Sequence, residues 1–183
     1  MISALSIWRF SDSPARDSEA QLLFKARRGD REALDALYRR HAGAAYTLAL
    51  QICGDADRAN DVVQDAFLRA FDRLDALRDA AQFRAWLKRI VATVAVDHVR
   101  RDRRLVFSDE LIEQADPHTV RAAEQLDAVG LLARLSTASR TVLVLYELEG
   151  YSHQEISDLL GRSEAWSKTV LSRARSCLAA WVD

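Results

Sequence analysis

The strongest chemical pattern in the chain lies in residues 151–175, where basic side chains follow a short, capped apolar helix. Ser152 and Glu155 have the spacing of a capping box, and Gly161 supplies a tight turn at the end of the helix. A short helix, a glycine turn and a second helix are the parts of a helix-turn-helix motif. From Gly161 onward the stretch holds four basic residues against one acid, a net +3, which suits phosphate contacts and entry into the major groove of DNA. A helical hairpin with a solvated basic face is the alternative.

A second basic surface is predicted at residues 84–104, which hold seven basic residues against two acids, a net +5. The aromatic residues Phe83 and Trp86 stand at the start of the same helical pattern. Cations beside aromatic rings are what a surface needs to follow a phosphate backbone and to stack unpaired bases. Two simpler interpretations stay open: a basic helix end that complements the helix dipole, and a core position for Trp86.

An acidic face is predicted on the helix before this basic surface. Asp57, Asp61 and Asp65 are four residues apart and therefore share one side of a helix, and residues 55–72 hold five acids against two basic residues, a net −3. Like charges at this spacing cost a helix about 0.2–0.5 kcal/mol per pair. A basic protein partner explains such a face, and a solvated surface is the alternative. A metal site is not indicated, because three helically spaced aspartates without a converging histidine give no closed coordination shell.

Residues for catalysis or cofactor binding show no convergent pattern. The four histidines are scattered, none has a plausible triad partner, and the six glycines are too separated for a phosphate-binding loop. Cys53 and Cys177 stand among apolar helix residues and are interpreted as reduced core side chains of a cytoplasmic protein. We expect a protein that is not an enzyme, holds no metal or cofactor and does not insert in a membrane, since apolar runs such as Ile90–Val96 are too short to span one.

Helices must position these surfaces, because 183 residues with 49% hydrophobic residues, six glycines and two prolines favour helix throughout. Cap residues and apolar spacing predict helices from Ser18 to Gly29, Asp30 to about Gly54, about Asp55 to Leu74, about Gln82 to Arg104, and at 121–134, 137–149, 153–160 and 164–180. We predict an all-α chain of two small domains, organised as a flexible arm at 1–17, a first domain at 18–104, an acidic linker at 105–120 and a second domain at 121–183.

Three segments in this order resemble the sigma-70 family of RNA polymerase sigma factors, and specifically its small extracytoplasmic-function (ECF) members. Residues 59–71 (ANDVVQDAFLRAF) look like the acidic helix of the family's region 2. Residues 83–91 (FRAWLKRIV), followed by the arginine cluster at 100–104, are similar to its helix that melts promoters and reads the −10 element. Residues 151–178 look like the helix-turn-helix of region 4. The resemblance covers about residues 22–104 and 121–180.

The resemblance implies a role for each surface. Docking on the β′ clamp helices of core RNA polymerase is implied for Asp57, Asp61, Gln64 and Asp65. Contacts with the opened −10 element are implied for Arg84, Trp86, Lys88, Arg89, Arg100, Arg101, Arg103 and Arg104. Major-groove contacts at −35 are implied for Arg162, Ser163, Glu164, Ala165, Trp166, Lys168, Thr169, Arg173 and Arg175. The implied partners are core RNA polymerase with its β′ and β subunits, promoter DNA and an anti-sigma factor.

The second helix of region 4 departs from the family pattern at three positions. Trp166 stands where a small polar residue is usual, Ser167 where an apolar core residue is usual, and Val170 where an arginine is usual. These changes leave room for a sigma-like decoy that binds an anti-sigma factor without reading DNA, although a decoy has no use for the cations at 100–104. A stand-alone helix-turn-helix regulator is a further alternative, but that function does not explain the acidic face of the helix at residues 55–72.

Overall fold

The computed structural model describes residues 17–101 and 128–182 of the chain. Every element in these two ranges is helical, which confirms the predicted all-α class. Most of the predicted N-terminal arm, the predicted linker at 105–120 and the −10 candidates Arg103 and Arg104 lie outside the described residues. Within the two described ranges, we find no helix with both the length and the apolar character that a membrane span requires.

Residues 17–101, the described part of the N-terminal half, hold four α-helices that begin at or next to the predicted positions. They are α1 (Glu19–Arg27), α2 (Arg31–Cys53), α3 (Ala56–Asp72) and α4 (Phe83–Arg101). Two short 3₁₀ turns, Leu74–Ala76 and Ala80–Gln82, connect α3 to α4. The side chains of Ser18, Asp30 and Asp55 accept hydrogen bonds from the first turns of α1, α2 and α3, which confirms the caps predicted at Ser18 and Asp30. These caps fix where each helix starts.

The helices α2, α3 and α4 pack on one another through their apolar sides. The division is clearest in α3, where Val62, Val63 and Phe67 are buried while Asp61 and Gln64 are exposed. Full burial of one such apolar side chain contributes about 1.5–3 kcal/mol to folding. This burial therefore determines which side of α3 faces solvent.

The described helices of the C-terminal half are α5 (Ala128–Arg134), α6 (Thr137–Leu143), α7 (His153–Leu160) and α8 (Glu164–Val182). α6 continues into a π-helical turn over Val144–Leu148, which ends where the Glu149 N–H donates to the Val144 carbonyl at 3.1 Å. The helix predicted at 137–149 is confirmed in extent, but its last turn is wider than an α-helix. The predicted helices at 153–160 and 164–180 are also confirmed.

One apolar core joins the two halves, because α6 packs against α2 and α7 against α4. The side chain of Arg140 on α6 crosses this boundary and is only 1% exposed. Its Nε donates to the Ile52 carbonyl at 3.2 Å, and its Nη2 donates to the Cys53 carbonyl at 2.9 Å. A charged side chain of the C-terminal half therefore binds the last turn of α2.

The two cysteines differ in their surroundings. Cys53 is free and buried at the end of α2, and this burial raises the pKa of its thiol to about 11. The thiol therefore stays protonated near neutral pH, as a core residue does. Cys177 on α8 is only half-buried, so its predicted core position is confirmed only in part.

Candidate polymerase and nucleic-acid interfaces

The solvent side of α3 carries the four residues predicted to bind core polymerase. Asp57, Asp61 and Gln64 are exposed, and Asp65 is partly exposed. Asp57 lies in the first turn, where a carboxylate interacts favourably with the positive end of the helix dipole. Asp65 also contacts the next helix, because its Oδ2 lies 2.9 Å from Nε2 of His98 on α4. The structure therefore brings all four residues together on one surface.

Sequence reasoning missed a fifth residue of this surface, Leu68. Its side chain is 64% exposed. It follows Gln64 by four residues and Asp65 by three, so it lies beside them one turn further along the helix. That spacing was the signal that could have identified it. We call Asp57, Asp61, Gln64, Asp65 and Leu68 together the α3 docking face.

A cleft of about 170 Å³ lies between α3 and α4. Its lining combines three arginines with apolar and hydroxyl side chains, namely Arg69, Arg73, Trp86, Arg89, Ile90 and Thr93. Guanidinium groups beside an indole ring offer both charge and a stacking surface to a nucleotide. Sequence reasoning missed Arg69 and Arg73, because they precede α4 by more than a turn and reach Trp86 only through helix packing. We call this site the α3–α4 cleft.

The −10 candidates on α4 fall into two groups. Arg84, Arg100 and Arg101 are exposed. Lys88 is half-buried and Arg89 is exposed, and both contact carboxylates of the C-terminal half. The Lys88 Nζ lies 2.7 Å from Oε2 of Glu149, and the Arg89 Nη2 lies 3.5 Å from Oε1 of Glu155. Two cations predicted to bind DNA are therefore held by acids of the same chain.

The helix-turn-helix predicted at residues 151–175 is confirmed. The Ser152 Oγ accepts from the Glu155 N–H at 3.2 Å, and the Glu155 Oε2 accepts from the Ser152 N–H at 2.9 Å. The hydrogen bonds from the backbone and the hydroxyl of Ser152 lower the pKa of the Glu155 carboxyl. Gly161 ends α7 with φ +66°, and the Ser163 Oγ caps α8 by accepting from the Trp166 N–H at 3.1 Å.

The exposed side of α8 presents only part of the predicted −35 set. Arg173 is exposed, and so are the remaining members of this side, Glu164, Ala165, Lys168 and Thr169. Lys168 pairs with Glu164 one turn earlier, at 2.6 Å. Arg175 is exposed too, and its Nε donates to Oε1 of the exposed Glu147 at 2.8 Å. Arg162 lies over the Trp166 ring, with 5.7 Å from Cζ to the ring centroid.

Two of the three atypical residues of α8 lie in the core of the helix-turn-helix. Ser167 and Val170 are both fully buried. The Ser167 hydroxyl lies 3.0 Å from Nδ1 of His153, so the polar group has a hydrogen-bond partner inside the motif. Trp166 is half-buried beside them. The departures from the pattern are therefore compatible with a packed helix-turn-helix.

Two segments of the chain match models of known protein families. Residues 37–105 match "Sigma-70 region 2", and residues 126–178 match "Sigma-70, region 4". The first range holds the α3 docking face and the described part of the basic helix α4, and the second holds the helix-turn-helix. The chain belongs to the sigma-70 family, in its ECF branch.

Individual relatives support this membership. The ECF sigma factor SigM of Mycobacterium tuberculosis is 33% identical over 165 residues, which cover 88% of this chain and 83% of SigM. Sigma factor RfaY of Xanthomonas campestris is 35% identical over 140 residues, but this match spans 35% of its length. A solved structure of the sigma factor RpoE bound to the anti-sigma factor NepR, from Bartonella quintana, covers 81% of this chain with a TM-score of 0.53 and 22% identity. At 22% identity this likeness shows only that the two chains share a fold.

Proposed function

We propose that this chain is an ECF sigma factor that binds core RNA polymerase in the cytoplasm and directs it to specific promoters. It serves as a specificity subunit and catalyses no reaction itself. Its first domain, at 18–104, binds polymerase and opens the −10 element, and its second domain, at 121–183, binds the −35 element. The membership of the chain in the sigma-70 family supports this division of work.

The observation that carries the proposal is the α3 docking face. The face keeps three carboxylates and Leu68 in solvent while the opposite side of α3 is buried. Carboxylates around an apolar side chain fit a basic helical surface, which we take to be the β′ clamp helices of core polymerase. The β subunit is a further proposed contact of the bound chain. Leu68 is the proposed apolar anchor of this interface.

The DNA contacts are proposed for two separate surfaces. The opened −10 strand follows α4 and the α3–α4 cleft, where Trp86 offers a ring for stacking and Arg69 and Arg73 add to the predicted cations. The exposed side of α8 enters the major groove of the −35 duplex. Arg173 contacts a backbone phosphate there. Each surface lies on a helix, so helical spacing fixes which side chains share it.

Binding of the purified chain to core RNA polymerase tests the proposal. We expect the wild-type chain to bind, and we expect Asp61→Arg to weaken the affinity by about tenfold or more, because a cation then faces a basic surface. Asp35→Arg is the matched control, since Asp35 is an exposed acid on α2 outside the docking face. No binding by the wild-type chain, or equal affinities for both variants, would contradict the proposal.

A second candidate function is a sigma-like decoy that binds an anti-sigma factor without reading DNA. It is favoured by the pairing of Lys88, Arg89 and Arg175 with acids of the same chain. A footprint of the reconstituted holoenzyme on promoter DNA separates the two functions. Protection around −35 and −10 supports the sigma factor, and bare DNA beside intact core binding supports the decoy. An anti-sigma factor is a proposed partner in both cases.

A further inference from the structure

A hydrogen bond joins the α3 docking face to α4. Oδ2 of Asp65, on α3, lies 2.9 Å from Nε2 of His98, on α4. Because an ionised carboxylate only accepts hydrogen bonds, Nε2 of His98 is the donor. One turn further along α3, Nη1 of Arg69 lies 3.4 Å from Oδ2 of Asp97, the residue before His98. Two neighbouring residues of α4 therefore bind α3, but of these two only His98 binds a residue of the docking face.

The contact with His98 leaves Asp65 accessible to a partner. The side chain of Asp65 is 44% exposed, whereas the side chain of His98 is only 20% exposed. The hydrogen bond involves one oxygen of the carboxylate, and the two oxygens together offer about four lone-pair sites. A cation of a partner can therefore bind Asp65 from solvent while His98 still donates to it from α4.

We propose that His98 is a positioning residue for the polymerase interface, which holds the Asp65 carboxylate in the orientation that docking on core polymerase requires. The proposal rests on the role given to the α3 docking face above. A side chain that moves freely in solution loses rotamer freedom when a partner orders it, and that loss weakens binding. A hydrogen bond to the carboxylate orders Asp65 before docking and so removes part of the loss.

A purely structural role for His98 would be to hold α3 against α4. The two helices already pack through buried apolar side chains, so one partly exposed hydrogen bond adds little to their packing. The contact between Asp97 and Arg69 provides the comparison, because it joins the same two helices and both of its side chains are 37% exposed. A positioning role and a packing role therefore predict different results at Asp97.

Two substitutions at His98 separate the hydrogen bond from the bulk of the ring. His98→Ala removes the donor, whereas His98→Gln keeps one, because the amide nitrogen of glutamine reaches about as far from the backbone as Nε2 of histidine. If His98→Ala does not fold, His98→Leu replaces it, since leucine fills a similar space without a donor. Asp97→Asn is the matched control, because it weakens the neighbouring contact and leaves the pair of Asp65 with His98 unchanged.

The affinity of each full-length chain for core RNA polymerase is measured by the anisotropy of a fluorescein label at its N-terminus, and urea unfolding establishes that each chain is folded. We expect His98→Ala to lower the affinity about three- to tenfold, and His98→Gln and Asp97→Asn to stay within about twofold of the wild-type chain. In combination with Asp65→Ala, His98→Ala should cause no further loss, because the carboxylate that it positions is already absent.

Four results would overturn the positioning role. The first is an unchanged affinity in His98→Ala, and the second is a loss in His98→Gln as large as in His98→Ala. The third is an equal loss in Asp97→Asn, which would reflect the packing of α3 on α4. The fourth is an undiminished further loss when His98→Ala is combined with Asp65→Ala, which would reflect a direct contact of His98 with polymerase.

The same measurement separates this role from the proposed function. If the wild-type chain binds core polymerase and Asp61→Arg binds weakly, any of the four results rejects the positioning role alone and leaves the α3 docking face standing. If the wild-type chain does not bind core polymerase, the positioning role and the sigma-factor function are both rejected.

Discussion

A Cβ atom on Gly54 would lie 2.6 Å from Cζ of Arg140, although 86 positions separate the two residues in the sequence. Gly54 also has φ +70°, a left-handed conformation that ends α2. The position therefore requires glycine for two independent reasons, one local and one tertiary. The local reason is visible in the sequence, because a glycine after a helical pattern is a common C-cap, but the tertiary reason is not.

Alanine at Gly54 should destabilise the protein more than alanine at Gly150. Both glycines are left-handed, with φ +70° and +73°, and each substitution carries a backbone cost of about 1–2 kcal/mol. Only Gly54→Ala must also displace a buried guanidinium, since nothing lies within 4 Å of a Cβ at Gly150. We expect an additional loss of about 1 kcal/mol or more in the free energy of unfolding measured with urea. Equal losses for the two variants would show that Arg140 does not hold this position in solution.

Truncation of Leu68 should weaken polymerase binding without affecting the fold. Leu68→Ala removes an exposed apolar side chain, so the free energy of unfolding should change by about 0.5 kcal/mol at most. The affinity for core polymerase should fall by about five- to thirtyfold, as for an apolar anchor worth 1–2 kcal/mol. Phe24→Ala is the control, because Phe24 on α1 is 62% exposed and lies outside the docking face. A similar affinity for both variants would remove Leu68 from the interface.

Arg173 and Arg175 should differ in their contribution to −35 binding. Both arginines are exposed on α8, but Arg175 is also paired with Glu147. Arg173→Ala should weaken holoenzyme binding to promoter DNA across sequences and reduce the slope of log affinity against log salt by about one. Arg175→Ala should change the slope less. The phosphate assignment fails if Arg173→Ala affects only one base position, or if Arg175→Ala has the larger effect.

The capping box of α7 should make stability depend on pH. Hydrogen bonds from Ser152 lower the pKa of Glu155 below its ordinary value of 4.5 in the folded protein. A lowered folded-state pKa contributes stability that is present above the unfolded value and is lost as the pH falls through the folded value. Glu155→Gln keeps an acceptor, as Gln21 does in α1, but does not titrate. We therefore expect the wild-type chain to lose more unfolding free energy than Glu155→Gln between about pH 6 and pH 3. Identical pH profiles would contradict the assignment.

The helices and their caps could be predicted because they depend on residues three or four positions apart. Ser18, Asp30, Asp55 and Ser152 all cap the helices that their local sequence predicts. The carboxylates of the α3 docking face were found for the same reason, since helical spacing alone places them together. The π-helical turn after α6 has no comparable local signature and was not predicted.

The remaining features depend on contacts between distant parts of the chain. The hydrogen bond from Arg140 to Ile52 spans 88 positions, and the pair of Lys88 with Glu149 spans 61. Arg69 and Arg73 reach the α3–α4 cleft only because α3 packs on α4. Ser167 was judged atypical from its polarity, but its hydrogen bond with His153 depends on how α7 packs on α8. Hydrophobic pattern and charge do not specify such pairings.

Runoff transcription tests the central claim most directly. Core RNA polymerase is incubated with fragmented genomic DNA of the source organism, with and without the purified chain, and the 5′ ends of the transcripts are mapped. The account predicts new start sites that appear only with the chain and share sequence elements near −35 and −10. If the chain binds core polymerase and produces no new start sites, the claim that it directs polymerase to promoters is wrong.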